Sequence, residues 1–74
     1  MATKQLDCKG LRCPQPVMKM TAALVDLKAG DVLEVVADCT TFEDDVRKWT
    51  ERLKKTLVWV KDEGNGVKRI QVQI

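Results

Sequence analysis

The chain has 74 residues, 45% of them hydrophobic, a net charge of +2, and neither histidine nor tyrosine. This length bounds it to one small domain over residues 1–74 with a thin core, and the apolar fraction with its clear periodicity excludes a disordered chain. The small charge argues against nucleic-acid binding through bulk electrostatics, and the missing histidine removes imidazole acid–base work, Cys-His dyads and His metal ligation together.

The opening Met1-Ala2-Thr3-Lys4-Gln5 has no apolar core of a secretory signal, and no run approaches the ~18 apolar residues of a membrane span. The expected location is cytoplasmic. Thr3 to Asp7 reads as a first strand, followed by a loop in which Gly10 is suited to a turn with positive φ. Next comes Cys13-Pro14-Gln15-Pro16, which holds the only two prolines of the chain. The residues that follow, from Val17 to Asp26, contain no glycine or proline, and the spacing predicts a helix from Pro14 to about Lys28. Proline is well tolerated at the first helical position because the N–H it lacks has no helical partner there. The pattern thus places Cys13 at the N-cap, Pro14 at N1 and Pro16 at N3. A thiol in that position faces free backbone N–H groups and the positive end of the helix dipole, which favour thiolate. Arg12 and Lys9 push the same way, and Gln15 N–H is the expected donor to the sulfur. Val17, Met20, Leu24 and Leu27 form the expected buried stripe, with Gly30 at the C′ position.

Val32 to Ala37 is rich in β-branched residues and reads as a second strand, with Leu33, Val35 and Ala37 on one face. Thr40-Thr41-Phe42-Glu43 matches a capping box, with Thr40 as N-cap and Glu43 at N3. A second helix is expected from there to near Lys55, burying Phe42, Val46, Trp49 and Leu53. Its basic residues Arg47, Lys48, Arg52, Lys54 and Lys55 are read as a solvated face. Thr56 to Lys61 reads as a third strand, Glu63-Gly64-Asn65-Gly66 as a hairpin turn, and Val67 to Ile74 as a last strand with Ile70, Val72 and Ile74 inward. Trp49 is a core residue in this reading, whereas Trp59 is compatible with either face of the sheet.

The order strand, helix, strand, helix, strand, strand predicts an α+β fold: a two-layer α/β sandwich with two helices on one face of a four-stranded mixed sheet. A right-handed first crossover leaves strands one and two parallel, so the loops after them open on one edge of the sheet. Cys8, Cys13 and Cys39 fall in or near those loops. Three cysteines are a poor disulfide framework and fit a reducing compartment with a working thiol. Cys13 is the candidate reactive thiol and Cys8 a structural one. Cys39 has three readings: a packed apolar residue, a resolving thiol for Cys13, or a metal ligand with Cys8 and Cys13. The metal reading lacks a fourth ligand and any Cys-x-x-Cys pair, so no metal is expected. Cys39 lies where the chain turns from strand to helix. It is therefore expected to be mostly buried and too far from Cys13 for a disulfide.

The segment Leu6-Asp7-Cys8-Lys9-Gly10-Leu11-Arg12-Cys13-Pro14-Gln15-Pro16-Val17 resembles the amino-terminal signature of the TusA/SirA-like family of small sulfur-carrier proteins. Lys28-Ala29-Gly30-Asp31-Val32-Leu33-Glu34-Val35 is similar to the family's entry into its second strand, and the likeness covers nearly the whole chain. The resemblance implies a βαβαββ sandwich. It also implies that Cys13 holds a persulfide, passed from a sulfur-donor protein (a cysteine desulfurase or a rhodanese) to an acceptor protein. Relays for tRNA thiolation, cofactor synthesis and sulfur metabolism are family roles. No cofactor beyond the covalent persulfide, no membrane and no nucleic acid is implied, and the chain is read as a monomer. Asp7, Gly10, Arg12, Pro14, Gln15 and Pro16 would shape the loop around Cys13. Cys39 departs from many relatives, which carry Asp or another residue without a thiol there, and Cys8 occupies a variable position. Two further functions stay open: a non-catalytic regulatory or RNA- or protein-interaction module, and a thiol redox switch between Cys13 and Cys39. RNA binding would want a basic groove with exposed aromatics, and this chain has only Phe42, Trp49 and Trp59.

Overall fold

The computed structural model describes residues 2–74. In chain order the elements are β1 (Thr3–Asp7), α1 (Gln15–Ala23) continued by a 3-10 turn (Leu24–Asp26), β2 (Val32–Ala37), α2 (Phe42–Leu53), β3 (Thr56–Gly64) and β4 (Val67–Gln73). The four strands form one sheet in the order β1-β2-β4-β3. β1 and β2 are parallel, with Asp7 opposite Val36, and β4 is antiparallel to both β2 and β3. This is the expected α+β arrangement of two helices and a four-stranded mixed sheet.

Alternation along each strand decides which side chains meet the helices. Leu33, Val35 and Ala37 of β2 and Ile70 and Val72 of β4 are fully buried, together with Met20, Phe42, Val46 and Trp49 of the helices. Trp49 spans the helical layer: its indole N–H donates to Thr21 Oγ1 at 2.9 Å, joining α2 to α1. The opposite face of the sheet is polar, with Glu34 accepting from Gln5, Arg69 and Gln71. β3 reaches this pattern through a register shift between Leu57 and Trp59. An extra residue there, Val58, lets both Leu57 and Val60 pack on the core and places Trp59 opposite Gln71 on the polar face.

Several local expectations are corrected. α1 begins at Gln15 with Pro14 as its cap, so Pro16 is at N2 and Cys13 precedes the cap. The helical run stops at Asp26 and Leu27 is extended, short of Lys28. Asp31 explains the early stop: its carboxylate accepts N–H groups of Lys28 and Ala2, which pull the chain back toward the sheet. Gly30 does adopt φ +94°, in that turn and not directly after the helix. The capping box at Thr40 is absent. Thr41 caps α2, no side chain caps its end, and Glu43 instead pairs with Arg47 and Lys68. These two cations hold the Glu43 carboxyl below its ordinary range, chiefly through the Lys68 hydrogen bond and then the Arg47 one. α2 ends at Leu53, which is 36% exposed, and Thr50 takes the buried place expected of it. β3 runs on to Gly64, beyond Lys61, because its hairpin with β4 pairs almost to the Asn65-Gly66 turn.

Candidate functional site

Because β1 and β2 are parallel neighbours, the loops that leave them, residues 8–14 and 38–41, start side by side. The first loop is built from its base outward. Cys8 extends the ladder by donating its N–H to the Val36 carbonyl at 2.7 Å, and its side chain is fully buried in the core. Burial raises the Cys8 thiol pKa, Asp7 adds to the rise and Lys19 partly offsets it. Asp7 turns the chain by accepting the Lys9 N–H. Gly10 then takes φ +84°, the positive-φ turn expected of it, and donates its N–H to Asp38 Oδ1 at 3.0 Å. That bond ties the first loop to the second.

Arg12 and Gln15 close the loop reciprocally. The Arg12 N–H donates to Gln15 Oε1 at 3.2 Å, and the Gln15 N–H donates to the Arg12 carbonyl at 2.8 Å. The expectation that Gln15 N–H serves the Cys13 sulfur is therefore corrected, since the backbone of Arg12 takes that donor. Pro14 caps α1, Pro16 is buried beneath its first turn, and Cys13 stands half-buried between this stiff start and the exposed Arg12.

The second loop brings Asp38, Cys39 and Thr41 to the same place. Cys39 is partly buried and packs against the core, and it is joined to Cys13 in a disulfide with Cα atoms 5.8 Å apart. The expectation that Cys39 lies too far from Cys13 for a disulfide is thus overturned. The physical reason is the strand pairing: two loops leaving adjacent parallel strands start about one strand spacing apart, roughly 5 Å, and the Gly10–Asp38 bond keeps them there. The turn into α2 uses the Cys39 carbonyl, which accepts the Phe42 N–H, and leaves its side chain free to reach across.

Beyond the disulfide a short polar chain continues. Cys39 Sγ is 3.8 Å from Thr41 Oγ1, which donates to Asp45 Oδ2 at 3.1 Å. The sulfurs of Cys13 and Cys39 and the Asp45 carboxylate lie within 4.8 Å of one another. Cys8 is not in this group, so the three-cysteine metal arrangement is not assembled among the described residues. An open groove of about 550 Å³ is lined by both loops, including Arg12, Cys13, Asp38 and Cys39. Sequence reading missed Asp38, Thr41 and Asp45 as part of this site; Thr41 figured there only within the capping-box match, and no motif marked Asp38 or Asp45.

The profile of the Sulfurtransferase TusA family matches residues 4–74. A chain of Archaeoglobus fulgidus is 35% identical over 71 residues, covering 96% of this chain and 92% of its own length, and is named "Putative sulfur carrier protein". A Bacillus subtilis chain with the same description, YrkI, is 35% identical over 65 residues, covering 88% of this chain and 87% of its own. The crystal structure of a SirA-like protein from Desulfitobacterium hafniense superposes with a TM-score of 0.80 at 28% identity, covering 99% of this chain and 96% of its own. With the family profile spanning both cysteine loops and all four strands, the chain belongs to the TusA family of sulfurtransferases.

Proposed function

We propose that this chain is a sulfur carrier that accepts sulfane sulfur as a persulfide on Cys13 and passes it to an acceptor protein. The observation that carries the reading is where the three cysteines sit. Cys8 is sealed in the core, Cys13 and Cys39 both line the open groove, and Cys13 alone stands at the proline-stiffened start of α1. The family and the names of the relatives support the carrier role at the level of sulfur.

The chemistry asks little more of the carrier. The reduced Cys13 thiolate attacks the outer sulfur of a donor persulfide, a new S–S bond forms on Cys13, and the donor leaves as a thiolate. This is thiol–disulfide exchange, governed by thiolate character, leaving group and access. No general base is needed, in keeping with a chain that has no histidine. Arg12 beside Cys13 would balance the persulfide anion, and the groove gives room for a partner's sulfur-bearing loop. No helix among the described residues is long and apolar enough to cross a membrane. The sulfur-carrier family supports a reading in which donor and acceptor are proteins. To test it, reduced Cys39→Ser, which keeps Cys13 and Cys8 and lacks the neighbouring thiol, is incubated with a cysteine desulfurase and cysteine, or with a thiosulfate-loaded rhodanese. Peptide mass spectrometry is expected to find one added sulfur atom on Cys13. Sulfur only on Cys8 would contradict the assignment.

A further inference from the structure

We infer that Cys39 is a resolving thiol that discharges the Cys13 persulfide as hydrosulfide, giving this carrier a second output besides transfer to a protein. The inference rests on the persulfide reading above. Its own ground is the pair of loops, which hold the two cysteines at a Cα separation of 5.8 Å. That spacing lies within the range a disulfide requires.

The step balances within the chain. The Cys39 sulfur attacks Cys13 Sγ, the inner sulfur of the persulfide. The Cys13–Cys39 bond forms, the bond between Cys13 Sγ and the sulfane sulfur breaks, and that sulfur leaves as HS⁻. It takes up two electrons and is reduced to sulfide, while the thiol of Cys39 is oxidised to the disulfide. The Cys39 proton ends on the departing sulfide, or on solvent when Cys39 reacts as thiolate. A dithiol reductant then returns the disulfide to two thiols, and the cycle consumes one such reductant per sulfide.

Three features favour attack at the inner sulfur. First, the loops already hold the two cysteines at the Cα spacing of the product, 5.8 Å, which favours contact with Cys13 Sγ over a sulfur one bond further out. Second, hydrosulfide is the conjugate base of a stronger acid than an alkyl thiol, and a leaving group of lower pKa departs faster. Third, the groove beside the pair is open, so the released anion passes directly to solvent. Thr41 orients the attacking thiol. Its hydroxyl hydrogen is committed to Asp45 at 3.1 Å, so its oxygen is left to accept the S–H of reduced Cys39, 3.8 Å away. Cys8 cannot substitute, because it is fully buried.

The reverse reaction gives a clean probe. Sodium hydrosulfide added to the oxidised full chain is expected to open the disulfide and place one sulfur on Cys13, leaving Cys39 as a free thiol. When excess sulfide is then removed from a dilute sample, the loaded protein should release about one sulfide per chain and regain the Cys13–Cys39 disulfide. Cys39→Ser provides the control. Its Cys13 is loaded by displacing a thionitrobenzoate mixed disulfide with hydrosulfide, and it should hold its sulfur at least about tenfold longer. Equal release rates in the two proteins, or sulfur found on Cys39 after hydrosulfide addition, would overturn the inference. Loading of Cys39→Ser by a cysteine desulfurase separates the two claims. If Cys13 takes no sulfur there, the carrier reading fails and this one with it. If it loads but discharge does not depend on Cys39, this one fails alone.

Discussion

Reducing the Cys13–Cys39 bond should remove a large part of this protein's stability, and the size follows from the loop it closes. The two cysteines are 26 residues apart. For a loop of that length the chain-entropy relation gives about 12 cal/mol/K, or about 3.5 kcal/mol at 25 °C, by which the bond restricts the unfolded chain. A domain of this size has only about 4–11 kcal/mol in total at the usual yield per residue. With a urea slope near 1 kcal/mol/M, reduction should lower the unfolding midpoint by about 3.5 M. At about 4–8 °C per kcal/mol, the thermal midpoint should fall by about 14–28 °C. The assay is urea unfolding followed by tryptophan fluorescence, since Trp49 is fully buried, on oxidised protein and on protein held in a dithiol reductant. Cys13→Ser/Cys39→Ser should behave like the reduced protein under both conditions. Oxidised and reduced curves that agree to within about 1 kcal/mol would refute the reasoning, because no loop of this length would then be closed.

Other perturbations reach the rest of the account. Trp49→Phe deletes the indole N–H bond to Thr21 and opens space in a fully buried position, so it should cost about 2–3 kcal/mol in the same urea assay. Gly10→Ala should cost about 1–2 kcal/mol from backbone strain at φ +84°; no atom lies within 4 Å of the added Cβ, so a steric clash is not part of the effect. Cys8 should resist iodoacetamide at neutral pH in folded protein and react after urea is added, because burial raises its thiol pKa. The same shift means the folded state binds that proton more tightly, so stability falls as pH rises past the unfolded thiol range. Glu43 has the opposite sign. Lys68 and Arg47 lower its carboxyl pKa, so its contribution is present above the unfolded carboxylate pKa and is lost as pH falls through the folded one. Glu43→Gln should flatten that acid limb of the stability profile.

Much of the fold was legible because its local signals agree. β2 is rich in β-branched residues, with Val32, Val35 and Val36, and spans Val32–Ala37 as its sequence predicts. The Gly64-Asn65-Gly66 turn lies between two strands of fitting pattern, and the structure has positive φ at all three residues. The element ends were less legible because side chains elsewhere in the chain decide them. Asp31 reaches back to Lys28 and Ala2 and stops the first helical run early, and Glu43 finds Lys68, 25 residues away, in preference to the Thr40 cap. At the site, the Cys-Pro-x-Pro motif marked Cys13 and topology put all three cysteines at one sheet edge. The Cys13–Cys39 bond was less legible, because the local turn into α2 is visible in the sequence whereas the spacing of two adjacent parallel strands is set by long-range pairing. Once β1 and β2 are neighbours, with Asp7 opposite Val36, the loops that follow have little room to separate.

The central claim is that sulfur rides on Cys13, and it is tested most directly by following one labelled sulfur atom. Reduced Cys39→Ser, which keeps Cys13 and Cys8, is incubated with a cysteine desulfurase and cysteine labelled in its sulfur, then alkylated and digested. The account predicts one labelled sulfur on the Cys13 peptide, none on the Cys8 peptide, and no uptake by Cys13→Ser. Label that remains bound to Cys13→Ser at one atom per chain, or that is never found on Cys13, would contradict it.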